Sequence, residues 1–266
     1  MIDLHTHLIP DWDDGAKTWA ETREMADLAA RDGIRKIALT PHIFRMTKHD
    51  GDWAVLAERA ARLKELASTW PCKFYWGAEV FIHPEIVKNI REHDLTINKS
   101  DYFFLEFPAD SVWPGAKDFI FDIMLEGFIP IISHPERNAE FRARPRLLYD
   151  IVKTDCLAQV TAKSILGEFG PEVKRAAELF LSHNLVHIIA SDAHNPSHRP
   201  PKLSRAVKEA AKIVGKEKAE AMVTAIPEAI LENRAIGEWG EPVNPEKKHK
   251  KWTIHIPWGR NRKGPE

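Results

Sequence analysis

VHIIASDAHN, residues 186–195, starts as an apolar run the length of a buried strand and ends with an aspartate and a histidine two positions apart. The same arrangement recurs along the chain. IDL (2–4) runs into HTH, RKIALT (35–40) into PH, and FIPIIS (128–133) into HPER. KFYWGAE (73–79) and DYFFLEF (101–107) carry Glu79 and Glu106, and CLAQVT (156–161) completes seven expected strands. Helical patterns over 17–32, 53–69, 84–92, 116–126, 145–154, 171–183 and 202–213 alternate with them, several opening at Pro or Asp and closing near Gly or Asn. This is the habit of repeated βα units around a parallel sheet. An open doubly wound sheet brings only the strands near one switch point to a ligand, whereas a barrel gathers every strand end round one bowl. Polar groups at the ends of nearly all the strands therefore predict an α/β fold of the irregular (β/α)7 TIM-like barrel kind.

The wider composition agrees with a globular body. The 266 residues hold 38 Lys+Arg against 39 Asp+Glu, a formal net charge of -1, with 44% hydrophobic and 29% charged residues. That balance removes the whole-chain electrostatic case for nucleic acid as the main partner. There is no apolar span of membrane-crossing length, and the opening MIDLHTH has no secretory leader pattern. Two cysteines, Cys72 and Cys156, make no disulfide framework and read as buried small hydrophobes, so a reducing cytoplasmic setting is expected. Residues 215–233 are helix-like. From 244 to 266 the chain turns basic, with five Lys and two Arg against two Glu and with Trp252 and Trp258 among them. The expected organisation is a domain over 1–243 and a tail over 244–266, the tail being either solvated or a docking segment for an acidic or anionic surface.

His5 and His7 are i and i+2 on a strand, so their rings leave one face and can converge on one ion. Asp192 and His194 repeat that spacing at the last strand. With Asp14, His42, Glu79, Glu106 and His134, the candidates number five imidazoles and four carboxylates. That is too many for one ion, and it suits two or three cations sharing a bridging carboxylate. Mixed nitrogen and oxygen donors without thiolate point to Mn, Fe or Zn rather than Mg or Ca. Trp12 and Phe44 read as packing in preference to pocket walls. His49, His83, His93, His183, His187, His198, His249 and His255 show no convergent partner. Asp13 reads as a group that tunes Asp14 or caps the following helix.

The string HTHLIPDWDDGA, followed in order by TPH, GAE, LEFP, HPERN and VHIIASDAHN with RPP after it, resembles the polymerase and histidinol phosphatase (PHP) superfamily. Within that group it is most similar to the bacterial manganese-dependent protein-tyrosine phosphatases of capsule and exopolysaccharide operons. The likeness runs from residue 1 to about residue 233. It implies a PHP-type barrel in which His5, His7, Glu79 and Asp192 hold one metal, with Glu79 bridging to a second held by His134 and Glu106. Asp14, His42 and His194 correspond to a third position. Arg137 of HPER resembles the family arginine that grips the phosphate, and Arg199 is a second candidate. The implied reaction is hydrolysis of phosphotyrosine by a metal-activated hydroxide, with Mn the leading cofactor. The implied partner is the tyrosine-rich tail of a bacterial polysaccharide-assembly kinase, and a homo-oligomer is compatible with the pattern.

Rival readings are a histidinol-phosphate-type small-molecule phosphatase, a PHP-type exonuclease, and a non-catalytic, metal-stabilised phosphopeptide-binding module. The exonuclease lacks a broad basic face, and no donor is missing as the binding module would suggest. A cysteine-dependent phosphatase is excluded by spacing: the position where a phosphate-loop arginine would stand is Ala78 after Cys72 and Ala162 after Cys156.

Overall fold

The computed structural model describes residues 1–45, 49 and 51–246. Nine strand segments form: β1 (Ile2–Asp3), β2 (Lys36–Leu39), β3 (His42–Ile43), β4 (Lys73–Trp76), β5 (Glu79–Phe81), β6 (Tyr102–Glu106), β7 (Ile129–Ile132), β8 (Leu157–Thr161) and β9 (Ile188–Ala190). They pair in the orders β1-β2-β4 and β3-β5-β6-β7-β8-β9, and every pairing is parallel. An isolated parallel bridge between Thr6 and Ala193 joins the chain after β1 to the chain after β9. β3 carries the line of β2 on beyond the expected strand end at Thr40, and β4 and β5 are two parts of one expected strand, so the ring has seven staves. The expected irregular (β/α)7 barrel is the observed one.

The two breaks have local causes. Pro41 has no N–H to give the ladder, so the sheet ends at Leu39 and resumes at His42. In the neighbouring stave Gly77 interrupts the ladder where Thr40 and Ile97 crowd it: an added Cβ would meet Ile97 Cγ1 at 3.3 Å and Thr40 Cγ2 at 3.4 Å. The ladder restarts with Glu79 N–H donating to Pro41 O at 3.0 Å.

Alternation along the strands sorts the side chains into two bodies. Phe103 and Leu105 of β6 face outward into the core between barrel and helices, whereas Tyr102 and Phe104 point into the barrel with Ile2, Leu4, Ala38, Ile131 and Ile188. Ile226, Ile230 and Leu231 close the floor of that inner cluster, and Ile236 and Trp239 pack against it. The lower half of the barrel is thus apolar, leaving the C-terminal strand ends to carry the polar groups. Outside, helices pack by their apolar faces. In Trp19–Arg31, Thr18 accepts from Glu21 N–H as N-cap, and Met25, Ala26 and Ala29 are buried.

The helix-like stretch 215–233 forms two helices, Lys216–Ala221 and Ala225–Leu231. Asn244, the first residue assigned to the tail, is buried, and Val243 N–H donates to His183 O at 2.8 Å. Residues 247–266, including Trp252 and Trp258, lie outside the described residues. Among the described residues, no helix is long and apolar enough to cross a membrane.

Candidate metal centre

Glu79, fully buried at the start of β5, is the hub of the bowl. Its Oε2 lies 3.2 Å from His5 Nε2, 3.5 Å from His7 Nε2 and 2.9 Å from His42 Nδ1. Its Oε1 lies 3.1 Å from His134 Nε2. Asp192 Oδ1 completes a first group at 3.8 Å from His5 Nε2 and 3.4 Å from His7 Nε2. Glu106 stands beside His42 Nδ1 at 3.4 Å and His134 Nε2 at 3.9 Å. Asp14 Oδ1 reaches His42 Nε2 at 3.4 Å and His194 Nε2 at 3.3 Å. The structure brings all nine expected donors into one cage. Three sets within it have ligand atoms mutually inside 4.8 Å: His5, His7 and Asp192; His42, Glu79 and Glu106; and His7, Asp14, His42 and His194. His42 belongs to two of these sets, where the family likeness implied only the third position.

Whether these residues suit cations can be judged from their hydrogen bonding. Both oxygens of Glu79, Oε2 of Glu106 and Nδ1 of His42 are buried without a hydrogen-bond partner. Buried carboxylate oxygens are expensive to leave uncompensated, and a divalent cation is what this oxygen and nitrogen lining accepts. The donor set fits.

A surrounding layer fixes the rings. His7 Nδ1 is 2.9 Å from Asp13 Oδ2, and His5 Nδ1 is 3.2 Å from Gln159 Oε1, so in each ring Nε2 is left for the cage. His194 Nδ1 sits 3.0 Å from the carbonyl of Asp192. Asp13 also accepts from the His42 and Gly15 N–H groups at 3.0 Å and 2.9 Å, so it fixes the His7 ring and the His42 backbone in place of the capping role the sequence offered. Gly15 is obligatory there, because a Cβ would lie 2.1 Å from His7 O. His134 and Asp192 both adopt left-handed backbone, with φ of 33° and 51°. Strain of this kind gathers where side-chain aim matters more than local stability.

Electrostatics follow from this crowding. Burial and His42 would strip a proton from His7, but Asp13 and Asp192 outweigh them and hold the ring up to about 9. Burial opposes ionisation of Asp13, yet His7 brings it down to about 2. Glu79 and Asp192 are likewise held well below the carboxylate range against the cost of burial, Glu79 by His5 and His42 and Asp192 by Arg199 and His194. Burial and the charge on His7 push His194 down to about 4.

Arg137 and Arg199 both donate to Oδ2 of Asp192, the oxygen turned away from the histidines. Arg137 also lies over the ring of Phe169, 5.0 Å from its centroid. Sequence reasoning missed Arg45 and Gln159. Arg45 Nη1 is 3.0 Å from His42 Nε2 and donates to Glu106 Oε1, which sets a third guanidinium at the mouth. Its only sequence signal was a basic residue three positions after a strand-end histidine.

Trp12 is buried and donates to His42 O at 2.9 Å, and it also lines the cleft beside Asp14, His42 and Arg45, so it packs and walls at once. His49, His83, His93, His183, His187 and His198 belong to none of the donor sets, and His249 and His255 lie outside the described residues. Cys72 and Cys156 are free and buried, and burial raises both thiols, Cys72 to about 11.

The profile of the family described as "Capsular polysaccharide synthesis, CpsB/CapC" matches residues 1–232. Tyrosine-protein phosphatase YwqE of Bacillus subtilis (strain 168) is 36% identical over 253 residues, covering 94% of this chain and 98% of that protein. Tyrosine-protein phosphatase CpsB of Streptococcus pneumoniae is 27% identical over 244 residues, covering 89% of this chain and 100% of that protein. A crystal structure from work on B. subtilis YwqE and S. pneumoniae CpsB, described as unique metal-dependent tyrosine phosphatases, matches with a TM-score of 0.83 and 35% identity. That match covers 91% of this chain and 99% of the other. A more distant crystal structure, of an uncharacterised protein with 11% identity and a TM-score of 0.54, shares the fold.

Proposed function

The chain belongs to the CpsB/CapC family of capsular polysaccharide synthesis, and from that we propose that it is a metal-dependent protein-tyrosine phosphatase. The observation that carries this reading is the gathering of nine nitrogen and oxygen donors in one bowl, with His5, His7, His42 and His134 all within 3.5 Å of the buried carboxylate of Glu79. His5, His7, Glu79 and Asp192 would hold one cation, Glu79, Glu106 and His134 a second, and Asp14, His42 and His194 a third. Mn is the cation we assign, with Fe or Zn the other candidates for such a donor set. Cations bound there would supply Lewis-acid charge for the phosphoryl group and hydroxide at neutral pH.

The chain's own residues supply the remainder. Arg137 and Arg199 are anchored through Asp192 Oδ2, which leaves the outer N–H groups of two planar forks for phosphoryl oxygens. Held by a carboxylate in advance, they need little reorganisation as charge builds on the transferring group. Asp13 and Gln159 keep the Nε2 atoms of His7 and His5 aimed inward throughout. The leaving phenolate has a conjugate acid of pKa about 10, well below that of an alcohol, so it departs with little help from a general acid. We assign the substrate to a cytoplasmic polysaccharide-assembly kinase with a tyrosine-rich tail, on the strength of the family alone, and a homo-oligomer is compatible with it.

The test is to measure rates on a phosphotyrosine peptide, a phosphoserine peptide and histidinol phosphate beside the metal content of the same preparation. The expected result is preference for phosphotyrosine, loss of turnover with chelator and recovery with Mn. Equal rates after complete metal removal, or preference for histidinol phosphate, would overturn the assignment.

A further inference from the structure

β8 carries none of the nine donors, and the chain that follows it is built around Arg137 instead. At the start of the short helix Ala162–Leu166, Thr161 N–H and Ser164 Oγ–H donate to Glu136 Oε1 at 3.0 Å and 2.6 Å. That fastens the helix to the HPER turn. Beyond the helix, Phe169 sits in a turn closed by Glu168 N–H to Lys163 O at 3.0 Å and by Gly170 N–H to Gly167 O at 3.1 Å. Gly167 and Gly170 take φ of 79° and 96°, which a residue with a Cβ resists. The half-buried ring is therefore delivered on a firmly bonded support. Arg137 lies over it with the guanidinium carbon 5.0 Å from the centroid, and Lys163 shares the ring at 5.7 Å. Lys163 is tied down elsewhere, since it pairs with Glu168 Oε2 at 3.0 Å and donates to His198 O.

The edge and the face of the Arg137 guanidinium are thus held by different partners. At the edge, Nη1 donates to Asp192 Oδ2, and one contact of that kind fixes an atom while the plane can still swing about it. A ring against the face fixes the plane. We propose that Phe169 is a positioning residue that holds the Arg137 guanidinium in the orientation that receives a phosphoryl group. The inference rests on the reading of Arg137 as a phosphate ligand. A planar fork grips two oxygens well only when they lie in its plane, so losing the ring would spread the guanidinium over orientations of which only a fraction is competent.

The experiment measures, on the Mn-loaded full chain, kcat and KM for phenyl phosphate, the inhibition constant of inorganic phosphate, metal content and melting temperature. The variants are Phe169→Leu, Phe169→Met, Phe169→Tyr, Arg137→Ala, and Phe169→Leu combined with Arg137→Ala. Phe169→Leu should lower kcat/KM and weaken phosphate inhibition by a common factor of about 3 to 30, with metal content unchanged. Phe169→Tyr should stay within about twofold of the wild type, because it keeps the ring face. In the double variant the leucine should add nothing to the loss that Arg137→Ala causes alone. Should Phe169→Leu lose metal or stability, Phe169→Met decides the question, and the same loss in both would make the ring a packing residue and overturn the assignment. Wild-type kinetics in Phe169→Leu, a full further loss in the double variant, or failure of Phe169→Tyr to preserve activity would each overturn it too. Wild-type kinetics in Arg137→Ala would instead remove the phosphate reading of Arg137 itself, and the positioning role with it.

Discussion

Asp13 Oδ2 lies 2.9 Å from His7 Nδ1, and this contact decides which nitrogen of the ring faces the cage. A carboxylate in that place fixes the ring's tautomer and orientation and makes its other nitrogen a better donor. Asp13→Ala is therefore expected to weaken Mn binding about 10- to 100-fold with the fold retained. Competitive metal titration reads this directly, and an affinity equal to that of the wild type would show that Asp13 is not an orienting group.

Arg137 and Arg199 share one acceptor, Asp192 Oδ2, and two outcomes separate phosphate binding from simple bracing. If they bind phosphate, Arg137→Ala keeps its metal and loses turnover by about 100-fold, with Arg137→Lys recovering little. If they only brace Asp192, metal content falls together with turnover. Unchanged kinetics in both Arg137→Ala and Arg199→Ala would remove the pair from the mechanism.

Gly15 packs where a methyl group would lie 2.1 Å from His7 O and 2.6 Å from His7 Cβ. Backbone cannot give way as a flexible side chain can. Gly15→Ala should cost about 2 kcal/mol or more in urea unfolding and should lower metal content, since the contact displaces His7. A variant with wild-type unfolding and full metal content would contradict the geometry.

His187, at the floor of the barrel, reports on acid stability away from the cage. Burial and the nearby Lys218 push its pKa down to about 3. Below its unfolded pKa of about 6.5 the unfolded chain gains a proton that the folded ring refuses. Its contribution is thus complete above that value and is lost as pH falls toward about 3, at up to about 1.4 kcal/mol per pH unit. His187→Gln should flatten the fall in stability between about pH 6.5 and about pH 5 in denaturant titrations. Equal slopes in variant and wild type would refute this.

The seven staves were legible because each is a short apolar run, and all but CLAQVT carry or run into polar donors, a pattern held in local sequence. Their interruptions were not, although Pro41 could have announced one, since a proline cannot supply a ladder hydrogen bond. The stretch 215–233 reads as one helix by periodicity, but Pro227 lies early in Ala225–Leu231 and lacks the N–H a continuous helix would need from it. Ala139–Ala143 and Ala162–Leu166 are too short for any periodic signal. At the site, the donors declared themselves by position at strand ends. Gln159 did not, because its value lies in touching His5 across the barrel, 154 residues away in sequence. Its one clue was an amide inside the apolar run CLAQVT, where a fully buried polar group needs a partner.

The gaps at Pro41 and Gly77 divide two staves into a rooted half and a chemical half, and the halves belong to separate hydrogen-bonded sheets. Foundation and workbench therefore follow different registers. On those two staves, a change of pairing among the upper strands need not shift the strands beneath them.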